Sequence, residues 1–181
     1  DGKGDGDDDP NDGCGGRLLF EENRPHEHLC PRCGTVYRGS PYDEAWISLY
    51  NNAVSHHIRN LGLAYLLTED VSYASKAAQL CLRYADLYTE FPLSDVWGGE
   101  SHVAARLYAQ TLDESVWVFE ILWGLDLIYD SGVFAESEKR HIENDLLRPV
   151  VDTLSRTILG ASNIQGCVSL AIGAIVFFLD V

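Results

Sequence analysis

Positive charge is scarce in this chain. Against 28 Asp and Glu stand 13 Lys and Arg, for a formal net charge of -15. A general nucleic-acid binder needs a basic face to meet the phosphates, and this balance argues against that class. It still allows an anionic substrate in a local basic cleft. Long apolar runs are missing too: none resembles the roughly 20-residue span of a membrane helix. Cysteine is limited to five, too few and too scattered for a disulfide framework. The sequence holds no nucleophile elbow, phosphate loop, His-Glu-x-x-His pair or dinucleotide fingerprint. Methionine is absent from a chain that is 46% apolar and, at 181 residues, long enough to bury one substantial core.

What is present begins with Asp and Gly. Residues 1–13 hold little else and read as a solvated acidic tail. The alternation of Asp5, Asp7 and Asp9 lacks the glutamate and the flanking helices of a calcium loop. Residues 14–40 read as a zinc-knuckle-like subdomain. In Cys30-Pro31-Arg32-Cys33-Gly34 two thiols are separated by two residues and can grip one tetrahedral ion, while Gly34 lets the backbone turn around it. A structural zinc needs further ligands. Cys14 is one, and His26 or His28 completes the set. Spacing does not separate the two histidines; His28 is taken here beside Cys14, Cys30 and Cys33. The competing reading is a pair of cysteines in a loop without metal. Arg17-Leu18-Leu19-Phe20 and Thr35-Val36-Tyr37-Arg38 are expected to form two short ribbons that a metal would pin, since neither buries enough by itself.

From Pro41 to Val181 the period is helical. Trp46, Leu49, Tyr50, Ala53, His57, Leu61, Ala64 and Tyr65 recur at three and four, giving one amphipathic face. Thr68-Glu69-Asp70 breaks the pattern, and a second helix carries Tyr73, Ala77, Leu80, Cys81, Tyr84, Leu87 and Tyr88. Phe91-Pro92 ends it. A linker with Gly98-Gly99 leads to a third helix expected over roughly 104–130, apolar almost all round in its second half. Glu136, Glu138 and Lys139 open a further helix, with acidic residues at the end the macrodipole favours. Pro149 predicts a kink or a new start within it. Asn163 to Leu179 is the last helix, rich in small residues. The fold class is therefore all-α, built of antiparallel helix hairpins with short connections; period alone does not choose between a bundle, a solenoid and a closed ring. The apolar pattern is still running at Val181, so a piece of a longer chain is expected. Cys81 and Cys167 read as small buried hydrophobes.

Several polar residues are candidates for chemistry. His102 follows Gly98-Gly99-Glu100, with Arg106 one turn further on, a suitable pair to meet a carboxylated ligand. His56 and His57 point about 100° apart on a helix, so they share no ligand site, and the one on the apolar stripe reads as a core histidine. His141 lies in a charged run and reads as solvated. Gln110, Asp113 and Glu114 lead into the third helix. Asn163 and Gln165 open the last one, where Asn163 also suits an N-cap.

The order of these features resembles the heparinase II/III-like family of polysaccharide lyases. The likeness rests on Cys14-Gly15-Gly16-Arg17-Leu18-Leu19-Phe20, His28-Leu29-Cys30-Pro31-Arg32-Cys33-Gly34, Tyr37-Arg38-Gly39 and Pro41-Tyr42-Asp43-Glu44-Ala45-Trp46. It continues through Leu61 to Thr68, Tyr73 to Ala77, Gln110 to Glu114, Tyr129 to Gly132, Asn163-Ile164-Gln165 and Ala171-Ile172-Gly173. The resemblance implies that residues 41–181 are part of an α/α toroid of helix hairpins, joined to a β-sandwich domain of the same protein. It further implies β-elimination at the uronic acid of an acidic polysaccharide, and a periplasmic or secreted location. His102, Arg106, Gln110, Asn163 and Gln165 would line the substrate face. The family's catalytic Asn-His pair and Tyr match no position here, and Gly166-Cys167-Val168-Ser169 departs from the aromatic, His and Asn that relatives show after Asn-x-Gln. Two other classes compete: a non-catalytic carbohydrate- or protein-binding helical scaffold, and a toroidal glycoside hydrolase using two of Asp95, Glu100, Asp113 and Asp126.

Overall fold

The computed structural model describes residues 15–179. The acidic tail, its Asp5–Asp9 alternation and Cys14 lie outside the described residues. The chain divides into two compact units, Asp1–Tyr50 and Asn51–Val181, with the division inside the first helix.

In the first unit, β1 (His28–Leu29) pairs antiparallel with β2 (Val36–Tyr37), His28 opposite Tyr37 and Leu29 opposite Val36. The turn between them closes on Cys30, whose N–H donates to Thr35 O at 2.8 Å while Gly34 N–H donates to Cys30 O at 2.9 Å. Gly34 has φ +75°, the left-handed conformation anticipated for it. The expected 17–20 ribbon is not a strand; it joins β1 through one backbone bond, Leu19 N to Leu29 O at 2.9 Å. Aromatic rings do much of the remaining packing: Trp46 stacks on Tyr50 at 4.9 Å, Phe20 lies 5.9 Å from Trp46, and Tyr37 lies 4.8 Å from Tyr42.

The helices are α1 (Tyr42–Thr68), α2 (Val71–Leu87), α3 (Thr111–Ile128), α4 (Glu136–Ile142), α5 (Arg148–Ser155) and α6 (Asn163–Phe178). The coarse expectation of a helical protein holds. Asp70 caps α2, accepting from Ser72 N at 2.9 Å, and Glu69 takes the left-handed φ of +58° that ends α1. A π-turn over Glu143–Leu147 links α4 to α5 with right-handed helical backbone at Ile142, Leu147 and Arg148, so the chain does not start anew at Pro149 but passes through one wider turn ahead of it.

Three expectations change. The buried residues of α1 are Asn51, Ser55, Ile58 and Gly62, and both His56 and His57 are exposed, so neither is a core histidine. The reason lies at the crossing with α3. A Cβ on Gly62 would stand 2.9 Å from Gly124 O, and a Cβ on Gly124 would stand 2.7 Å from the Ile58 backbone. Small residues let the two helices approach closely, and the contact follows them instead of the larger apolar stripe. Next, α3 begins at Thr111, not near 104. Finally, α6 is capped by Ser162, which accepts from Gln165 N at 3.1 Å, and Asn163 is the first helical residue.

The core of this unit gathers Trp117, Ile121, Leu125 and Ile128 of α3 with Ala74, Ala77 and Cys81 of α2 and Val168, Ala171 and Ile175 of α6. Tyr88 stacks on Trp117 at 6.1 Å and Tyr84 meets the same ring edge-on at 5.0 Å. Burial pushes the Cys81 thiol up to about 12, as suits an inert core cysteine, whereas Cys167 is half-buried.

Candidate functional site

Residues 91–110 form an ordered loop between α2 and α3, held by two carboxylates. Asp95 accepts from Trp97 N at 2.8 Å and Gly99 N at 2.9 Å. A bond from the Ser101 side chain, and after it those from the Gly99 and Trp97 amides, hold its carboxyl down to about 2. A bridge between Ser94 and Ala105, with N–H to O distances of 2.9 and 3.1 Å, ties the two sides of the loop.

The second carboxylate is Glu114, which the sequence marked as leading into the third helix without giving it a role. It is fully buried and accepts from Tyr88 Oη, from Arg106 N at 2.8 Å and from Leu107 N at 2.8 Å. Burial raises its pKa, against the lowering effect of those donors. Tyr88 is raised well above the usual phenol range, first by burial and then by the neighbouring Glu114. The geometry explains the late start of α3. Arg106 and Leu107 give their amides to a side chain one turn into the helix, and Gln110, directly before Thr111, is extended at φ -157° and ψ 151°, so the chain is not helical there. A signal was there: Glu114 shares a helical face with Thr111, Val118, Ile121 and Leu125.

The predicted site residues separate into different roles. His102 is exposed in the loop. Arg106 is turned inward: Nη1 donates to Thr89 O at 3.2 Å and Phe91 O at 2.5 Å, and the guanidinium lies 5.8 Å from the Tyr88 ring centroid. Gln110 precedes α3 and donates to Asp113 Oδ2 at 3.0 Å. Asn163 is exposed. Gln165 accepts from Leu159 N at 2.8 Å and donates to Ser169 Oγ at 3.3 Å, fastening the start of α6 to the segment before it. Among the hydrogen bonds of the described residues, none joins His102, Arg106 or Gln110 to Asn163 or Gln165. Of the carboxylates considered for hydrolysis, Asp95 is committed to its turn and Asp113 to Gln110.

His141, read as merely solvated, bridges two helices. Its Nε2 lies 3.0 Å from Asp86 of α2 and its Nδ1 lies 2.8 Å from Asp145 of the π-turn. Both carboxylates raise its pKa.

In the first unit, the two histidines that spacing could not separate meet at one residue. Asp43 Oδ2 lies 2.7 Å from His26 Nδ1, and Oδ1 lies 2.8 Å from His28 Nε2. His28 is buried and His26 exposed. These bonds lower the Asp43 pKa, with a further donor at Gly39 N, 3.1 Å away. Among the described residues, no group of three His, Cys, Asp or Glu side chains is arranged to hold a metal ion. The turn carries Cys30 and Cys33; Cys33 Sγ lies 3.2 Å from Thr35 Oγ1 and Cys30 Sγ lies 4.0 Å from Gly16 O.

No protein-family model matches the chain. Two curated proteins do. It is 37% identical over 98 residues to an exo-oligoalginate lyase of Saccharophagus degradans, covering 54% of this chain and 13% of that protein. It is 31% identical over 93 residues to an alginate lyase of Stenotrophomonas maltophilia, covering 51% of this chain and 12% of that protein. Both relatives bear the name of a polysaccharide lyase. The matched part of this chain thus spans about an eighth of the length of either relative, and their similarity to it supports polysaccharide lyases at the general level.

Proposed function

We propose that this chain is part of a polysaccharide lyase acting on uronic-acid-containing polymers by β-elimination. The observation that carries the reading is its similarity, over half its length, to two proteins named for alginate lysis. A finer assignment to the heparinase II/III-like lyases, with the helices as part of an α/α toroid completed by a β-sandwich elsewhere in the protein, rests on the motif order in the sequence.

The chemistry required is well defined. Neutralising the C5 carboxylate acidifies the C5 proton; a base removes it, the C4=C5 double bond forms, and the C4–O4 bond breaks with a proton passing to the leaving oxygen. His102 is exposed, whereas Arg106 and Gln165 are engaged in hydrogen bonds within the protein. The test is the ultraviolet absorbance of the conjugated product when protein from the native reading frame meets alginate. Growth of that absorbance supports elimination; new reducing ends without it would replace the lyase by a hydrolase, and binding without cleavage would leave a scaffold.

Structural zinc on Cys14, His28, Cys30 and Cys33 belongs to the same proposal. Asp43 behind His28 is the kind of carboxylate that orients a ligating imidazole, and the turn around Gly34 suits paired thiolates. Mass spectrometry of protein purified without chelator is expected to give one zinc per chain, lost in Cys30→Ala. Equal metal content in both proteins would remove zinc from the proposal.

A further inference from the structure

Trp97 is the most exposed large apolar side chain of the described residues, with 90% of its surface open, yet the backbone beneath it is held by several hydrogen bonds. Its own N–H is bound by Asp95, Gly98 N donates to Asp95 O at 2.9 Å, and Asp95 N donates to Gly99 O at 2.8 Å. Gly98 takes φ +75° at the tip. An indole in water contributes no burial to folding, and a turn built this tightly fixes its place in advance. Val96 beside it is 65% exposed, which extends the apolar surface. A cation reaches the same loop: Arg156, at the end of α5, donates from Nη2 to Glu100 O at 3.4 Å and is itself exposed.

The geometry points to Trp97 as a stacking platform for a pyranose ring of the polymer, with Arg156 placed to meet a uronate carboxylate of the same chain. This rests on the polysaccharide reading above and names a contact for it. The apolar C–H face of a sugar packs on an aromatic plane, and rigid presentation removes the ordering cost that a mobile tryptophan would add.

The test titrates the 181-residue chain with alginate oligosaccharides and, separately, with a neutral cello-oligosaccharide, reading calorimetric affinity and indole emission. Wild type is expected to bind the uronate oligomers with a change in emission. Trp97→Ala should weaken that affinity about tenfold, Trp97→Phe should retain most of it, and Arg156→Gln should weaken uronate binding only. Circular dichroism and thermal midpoint should stay at wild-type values, since the indole packs on nothing. Uronate binding unaltered in Trp97→Ala overturns the platform and leaves the lyase reading intact. Absence of any binding by wild type also overturns it, and product absorbance then decides the lyase reading separately. Binding of the neutral oligomer alone overturns both.

Discussion

In each unit a carboxylate gathers an irregular segment, and Asp43 and Glu114 work on different partners. In the first unit Asp43 is partly exposed and holds two imidazoles and one amide. In the second, Glu114 is fully buried and holds two backbone amides and a phenol. The first set consists mostly of side chains, the second mostly of backbone amides. Backbone donors in a dry site therefore hold the loop before α3, while the first unit's carboxylate is partly exposed and meets one exposed imidazole, His26, and one buried one, His28.

The contrast is broken most forcefully at its buried end. Glu114→Ala would strand the amides of Arg106 and Leu107 and the Tyr88 hydroxyl, and a loss of about 3 kcal/mol or more is expected in denaturant unfolding. A loss below about 1 kcal/mol would mean that water replaces the carboxylate. Gly124→Ala probes the same unit away from its carboxylate. The added methyl meets the Ile58 backbone, which cannot yield as a side-chain tip can, so a cost of about 1–3 kcal/mol is expected in thermal melts.

Asp43→Ala should act locally. Faster exchange of the Gly39 amide, with unfolding of the Asn51–Val181 unit unchanged, is the expected outcome; a matching fall in that unit's stability would erase the distinction drawn here. The smallest effect belongs to His141. Its folded pKa is raised by Asp86 and Asp145, so its stabilising contribution is fully present below its ordinary pKa and is lost as pH rises through the folded value. Wild type should lose thermal midpoint relative to His141→Gln between mildly acidic and mildly alkaline pH. Parallel curves for the two proteins would contradict the bridge.

Much of the fold was legible along the chain because its signals are local. Asp70 and Glu69 mark the α1–α2 break and Pro92 the end of the α2 segment, each through its own backbone preference. The candidate site was less legible. Arg106 looked like a substrate contact because a loop arginine beside an exposed histidine suits an acidic ligand, and nothing in the spacing said that the carbonyls of Thr89 and Phe91 would claim it. His57 looked like a core residue because it lay on the larger apolar stripe, before Gly62 and Gly124 decided which face of α1 meets α3.

The sequence by itself determined a helical protein with an acidic surface, where its helices break, and a paired-cysteine turn on Gly34. Periodicity, proline and glycine act within a few residues of themselves, so one strand of letters contains them. Tertiary structure alone decided that Glu114 is buried beneath the loop, that Asp43 gathers both histidines, that Arg106 faces inward and that Trp97 faces water. Each depends on which distant groups arrive at a side chain, and burial and hydrogen-bond partnership exist only once the chain has closed on itself.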